Sequence, residues 1–97
     1  MKIIKTAIAG TLESGDVQIM ISPNEEIGLE INLNSIVKAQ FGNAIMATVM
    51  DVLKGYDIDK ATVQIQDKGA FDCVIRSRMQ TAVCRASGNL FDWKRVE

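Results

Sequence analysis

The chain has 97 residues, 47% of them apolar and 24% charged, with a formal net charge of −1. That is one domain's worth of sequence, able to bury a single modest core of about 60–68% of its unfolded surface, and the apolar content argues against disorder. No run reaches the roughly 18 apolar residues of a membrane span, and the near-neutral charge, with no early basic cluster, argues against nucleic acid as partner.

There is no histidine. A Ser-His-Asp triad, a Cys-His pair and any His-based metal site are therefore impossible; no metal site is expected, and catalysis by carboxylates or Lys stays open in principle with no pair flagged by spacing. The apolar part of Met1-Lys2-Ile3-Ile4-Lys5 is too short for a signal-peptide core, so a cytoplasmic protein is expected. Cys73 and Cys84 stand eleven positions apart in a helical pattern. Along a helix that is roughly 16 Å, beyond the ~7 Å Cα separation a disulfide tolerates. Both are expected as buried small hydrophobes.

In chain order, residues 3–12 and 17–22 read as two strands of a hairpin around Ser14-Gly15. Gly15 supplies a positive φ, and Ser14 sits at the tip with its hydroxyl in water. On local pattern alone Ser14 is an ordinary turn residue. Pro23 ends the second strand, because it cannot donate to a ladder. Leu29, Ile31 and Leu33 alternate with polar residues as a half-buried strand.

Asn34 and Ser35 are candidate N-caps for an amphipathic helix with Ile36, Val37, Phe41, Ile45, Val49, Val52 and Leu53 on its apolar stripe, ending at Gly55. Tyr56-Asp57-Ile58-Asp59 connects it to a fourth strand, where Ala61, Val63 and Ile65 share a face. Asp67-Lys68-Gly69 turns the chain into a second helix, about 70–86. Its stripe comprises Phe71, Val74, Ile75, Met79, Ala82, Val83 and Ala86, with Asp72 in the first turn, Arg85 in the last and Gly88 as the stop. Arg76 and Arg78 are expected on a solvated helix face, with a partner subunit as the alternative.

The order is β-β-β-α-β-α. Two one-faced helices and two alternating strands imply an α+β, two-layer sandwich: a four-stranded sheet with both helices on one face, and the strands flanking the first helix parallel. Residues 1–88 form one domain and 89–97 a tail. That tail holds the only Trp, beside Leu90 and Phe91. It either folds back on the sheet or anchors another subunit.

Leu12-Glu13-Ser14-Gly15-Asp16-Val17 resembles the N-terminal motif of the citrate lyase acyl carrier proteins, the γ subunits of that complex. Ile31-Asn32-Leu33-Asn34-Ser35, Gln40-Phe41-Gly42 and Asp67-Lys68-Gly69-Ala70-Phe71-Asp72-Cys73 match in the same order, so the resemblance runs from about Lys2 to Gly88. Phe71 stands where many relatives carry Leu. The resemblance implies that Ser14 is joined through a phosphodiester to 2'-(5''-phosphoribosyl)-3'-dephospho-CoA, whose thiol carries acetyl and citryl groups. It implies a non-catalytic subunit serving an α acyltransferase and a β lyase, loaded by a prosthetic-group transferase, in cleavage of citrate to acetate and oxaloacetate. The missing histidine suits a protein that carries a reactive group.

Glu13, Gly15 and Asp16 flank the attachment serine. Glu13 and Asp16 read either as an acidic collar recognised by partner enzymes or as solvated turn residues. Lys68 is a candidate docking residue. The rival readings are the carrier subunit of malonate decarboxylase, which uses the same type of arm, and an armless adaptor in a cytoplasmic complex. A stand-alone enzyme is a more distant third.

Overall fold

A computed structural model describes residues 2–88. Its elements are β1 (Ala7–Gly10), β2 (Val17–Pro23), β3 (Leu29–Ser35), α1 (Lys38–Gly55), β4 (Ala61–Asp67) and α2 (Asp72–Ser87). The expected α+β order is therefore present, and the sheet runs β1-β2-β4-β3. β4 is central. It pairs antiparallel with β2 (Val17↔Asp67 through Pro23↔Ala61) and parallel with β3 (Leu29↔Ala61 through Ser35↔Asp67). The parallel pair is possible because α1 supplies the long connection that such a pair requires.

Alternation along each strand sorts the two faces. Val17, Ile19 and Ile21 of β2 lie in register with Asp67, Ile65 and Val63 of β4, and Ala9 of β1 faces Ile19; all are buried. Against them pack Ile45, Val49, Val52 and Leu53 of α1 and Ile75, Met79, Ala82, Val83 and Ala86 of α2. Each fully buried Ile or Leu contributes about 1.5–3 kcal/mol, so this layer is the main source of stability. The opposite face carries Gln18, Met20, Gln64, Gln66 and Asn32 and remains wet.

Several boundaries differ from the sequence expectation. β1 is four residues long and does not span 3–12. At Gly10 φ is +88°, and a Cβ there would lie 1.8 Å from the Val17 carbonyl oxygen. The chain leaves the sheet at that point, and a six-residue loop, 11–16, replaces a tight Ser-Gly turn. Upstream, the Ile4 and Lys5 amides both donate to the Ala86 carbonyl, at 3.0 and 3.1 Å, so the N-terminal segment is tied to α2 and not to a strand.

Asn34 and Ser35 belong to β3, and α1 starts at Lys38 with Val37 as its N-cap. Ladder pairing with β4 carries the strand beyond the point where local propensity would begin a helix. Gly55 is the last helical residue and Tyr56 the cap. In α2 the stripe residue Phe71 is the N-cap and 80% exposed, and Cys73 is exposed while Cys84 is buried; both thiols are free. Gly88 does stop α2, at φ +75°. The expectations for residues 89–97 lie outside the described residues. Among the described residues no helix is long and apolar enough to cross a membrane.

Candidate functional site

The 11–16 loop is polar, short and tied down from within. Thr11 donates its hydroxyl to Asp16 Oδ2 at 2.6 Å, and its Oγ1 accepts from the Glu13 amide at 3.3 Å. Asp16 Oδ1 accepts from the Val17 amide at 2.7 Å, and the Asp16 amide donates to the Glu13 carbonyl at 3.0 Å. From α2, Arg78 closes on the same carboxylate with two bonds: Nε to Oδ1 at 3.2 Å and an Nη to Oδ2 at 3.0 Å. This two-pronged grip is the strong, geometry-fixing form of an ion pair. The Thr11 hydroxyl, the Arg78 guanidinium and the Val17 amide together lower the Asp16 pKa from 3.8 to about 2.

A second tether comes from β4. The β2–β4 ladder continues past Val17↔Asp67: the Lys68 amide donates to the Asp16 carbonyl at 2.9 Å, and the Gly15 amide donates to the Lys68 carbonyl at 2.8 Å. Lys68 is fixed in turn by Asp67, which is 1% exposed. The Ser35 hydroxyl donates to Asp67 Oδ2 at 2.7 Å, and the Ala70 amide to Asp67 Oδ1 at 2.9 Å. Ser35 Oγ also accepts from the Val37 amide at 3.1 Å. The two matched motifs, 12–17 and 67–73, are thus one physical assembly.

Ser14 rides on that assembly. It is exposed, and its hydroxyl makes no hydrogen bond within the described residues. Gly15 holds φ at +83° with nothing within 4 Å of where a Cβ would stand, so the tip has open space around it. With no histidine in the chain and no side chain hydrogen-bonded to it among the described residues, this hydroxyl has no activating partner there, and an enzyme that modifies it would bring the base. An uncommitted hydroxyl on a pinned, unobstructed loop fits a covalently attached group. Among the described residues no three His, Cys, Asp or Glu side chains gather as a metal site.

The sequence placed Glu13, Ser14, Gly15 and Asp16 together, and they do share the loop. Their surroundings differ. Among the described residues Glu13 is exposed with its carboxylate unpaired, whereas the Asp16 side chain is only 15% exposed and is consumed by Thr11 and Arg78. Arg78 and Arg76 are not a bare solvated face: Arg78 holds Asp16, and Arg76 bonds Asp51 of α1 at 2.6 Å. The roles of Thr11 and Arg78 as partners of Asp16 escaped the sequence reading. No local pattern marks Arg78, 62 positions from its partner.

Beside the loop lies a pocket of about 310 Å³ lined by Val37, Phe41, Ile45, Ala70 and Phe71, with Asp72 at its rim. Phe41 and Phe71 in its lining are 54% and 80% exposed, and Ile36, next to Gly69, is 68% exposed, so these three stripe residues lie outside the core while Val37 and Val74 pack against it. Asp72 accepts from the Thr48 hydroxyl, pinning α2 to α1 beneath that surface.

Comparison with known proteins fits this arrangement. The sequence profile of the family described as the malonate decarboxylase delta subunit (MdcD) matches residues 4–86. Citrate lyase acyl carrier protein 1 of Salmonella paratyphi A is 47% identical over 88 residues, covering 91% of this chain and 90% of that protein. In fold, the chain resembles one in the crystal structure of a Pseudomonas malonate decarboxylase hetero-tetramer in complex with malonate. The TM-score there is 0.65 at 18% identity, covering 87% of this chain and 86% of that one. It also resembles part of a homoserine kinase from Cytophaga hutchinsonii, with a TM-score of 0.56 at 13% identity, covering 97% of this chain and 38% of that one. Both structural likenesses concern the fold alone. A match across nearly the whole chain, with both motifs fused into one loop assembly, makes this chain a member of the acyl carrier protein family that includes the citrate lyase carriers and the malonate decarboxylase delta subunit.

Proposed function

We propose that the chain is the acyl carrier of a citrate lyase, with 2'-(5''-phosphoribosyl)-3'-dephospho-CoA joined through a phosphodiester to Ser14. The observation that carries this reading is the free Ser14 hydroxyl on a loop fixed from both sides. Such an arm supplies a thiol on which an acyl group is held as a thioester. The chain's own part is mechanical. Ser14 provides the attachment oxygen, and Gly15 keeps the tip slim. The Asp16–Arg78 and Asp16–Lys68 contacts hold the base of the arm still. Tethering makes each acyl transfer effectively intramolecular, provided the arm spans both partner sites.

The partners in this reading are the α acyltransferase and β lyase subunits and the transferase that installs the arm, in the cytoplasm. Citrate is favoured over malonate because the citrate lyase relative is 47% identical over 91% of the chain. The family profile keeps the carrier subunit of malonate decarboxylase as the second reading. Intact-protein mass spectrometry with peptide mapping, on protein from its native host grown on citrate, tests the proposal. An added mass matching the arm on the Ser14 peptide is expected; an unmodified chain would remove the carrier assignment of Ser14. Assay of the loaded chain with its partner subunits on citrate and on malonate then separates the two substrates.

A further inference from the structure

We propose that the arm on Ser14 folds back over Lys68 and seats its thiol end in the apolar pocket between Phe41 and Phe71. The inference rests on the reading of Ser14 as the attachment site. Three observations carry it.

The first is reach. Gly15 is bonded to Lys68, and Gly69, the next residue, lies on the pocket wall. Two Cα–Cα steps of about 3.8 Å and one strand-to-strand crossing of about 4.8 Å put Ser14 within about 13 Å of the pocket lip. An arm containing two sugars, a pyrophosphate and pantetheine spans this with length to spare. The second is charge. Among the described residues the half-buried Lys68 pairs with no carboxylate, and its backbone is already bonded to the loop that bears Ser14. A phosphate-bearing chain leaving Ser14 passes a cation that lacks an anion.

The third is the pocket. Phe41 and Phe71 hold large apolar surfaces in water around a hollow of about 310 Å³, with the exposed Ile36 next to Gly69 of its wall. That is the lower end of the ~300–1,000 Å³ range of small-molecule sites. It suits the ethyl-sulfide end of pantetheine and is too small for the whole arm. Covalent tethering supplies the end group at millimolar effective concentration, so weak contacts suffice. Seated there, the thioester would be shielded from water and nucleophiles between visits to partner sites, and released by a small cost.

The test uses the arm-loaded, deacylated chain from its native host in a Cys73→Ser background, since Cys73 is exposed and would react too; Cys84 is buried. Mass spectrometry first verifies the arm on Ser14. Alkylation of the arm thiol by iodoacetamide should run at least about fivefold slower than that of free dephospho-coenzyme A, in proportion to the fraction undocked. Phe71→Asp, Phe41→Ser and Lys68→Glu should each bring it back toward the free rate. Their side chains are exposed or half-exposed, so the fold should survive each change. Amide NMR signals of Gly69, Ala70 and Phe71 should shift on loading, while that of Thr62 at the far end of β4 should not. An arm present on Ser14 that reacts at the free rate, with unshifted signals, overturns the pocket assignment alone. Phe71→Asp that weakens subunit assembly but leaves thiol protection intact assigns the patch to a partner and also overturns it. Absence of the arm mass overturns the carrier reading, and the pocket assignment with it.

Discussion

Two turns lie side by side where β2 begins and β4 ends, and each hangs on one aspartate. Asp67, beneath the 67–71 turn, is 1% exposed, and among the described residues its carboxylate is bonded to neutral groups, the Ser35 hydroxyl and the Ala70 amide. Asp16, in the 11–16 loop, keeps 15% of its side chain exposed and is held by a guanidinium, a hydroxyl and an amide. The first ties three elements, β3, β4 and the start of α2, so its loss should reach the whole fold. The second ties a loop to one helix, so its loss should loosen the presentation of Ser14 and spare the core. Buried neutral bonding makes a fixture, and a half-exposed ion pair makes a latch that responds to pH.

The strongest way to break this contrast is Asp67→Ala. It leaves the Ser35 hydroxyl and the Ala70 amide without their acceptor, at about 1–3 kcal/mol for each unsatisfied group, so a total near 3 kcal/mol is expected. Urea unfolding should show the drop, with loop and core probes falling together. If only the loop were affected, Asp67 would be a local tie like Asp16.

Asp16→Asn should cost less, about 1–2 kcal/mol, and Arg78→Met less again, because Thr11 and the Val17 amide still hold the carboxylate. The pair should be non-additive in a double-mutant cycle, as contacting residues are. The pH dependence has a definite sign. A carboxyl whose folded pKa is depressed to about 2 from 3.8 contributes its full share above about 3.8 and loses it as pH falls through about 2. Wild type should therefore outlast Asp16→Asn at neutral pH, with the gap closing as pH approaches 2. A gap independent of pH would mean that charge is not what Asp16 contributes.

The contrast also explains what could be seen without coordinates. The strand and helix order follows from alternation and helical spacing in 29–33, 45–53 and 61–65, where one face is buried. The errors cluster at the site end of the sheet. Asn34 and Ser35 have the chemistry of N-caps, yet Ser35 spends its hydroxyl on Asp67, 32 positions away. Phe41 and Phe71 have the spacing of core residues, but Phe41 stands in the first turn of α1 and Phe71 is the N-cap of α2, and both are exposed. Asp16 looks like a solvated turn acid because its cation comes from α2. In each case the deciding partner is distant in sequence, and apolar periodicity says which face a residue takes but not how far the opposing layer extends.

The smallest effects should come from Ser14 and Glu13. Both side chains are exposed and unbonded within the described residues, so Ser14→Ala and Glu13→Gln should each shift stability by no more than about 0.5 kcal/mol. Their consequences for attachment should diverge. Ser14→Ala should abolish the added mass with the fold intact, which separates the carrier reading from an armless adaptor. Glu13→Gln removes the one loop carboxylate not already committed to an internal partner. If a transferase reads charge, attachment should slow about fivefold, the scale of one rim ion pair, and the loss should fade with added salt. If attachment is indifferent to Glu13→Gln and drops with Asp16→Asn, the transferase reads the held shape of the loop, and the acidity of the motif matters only through the latch to Arg78.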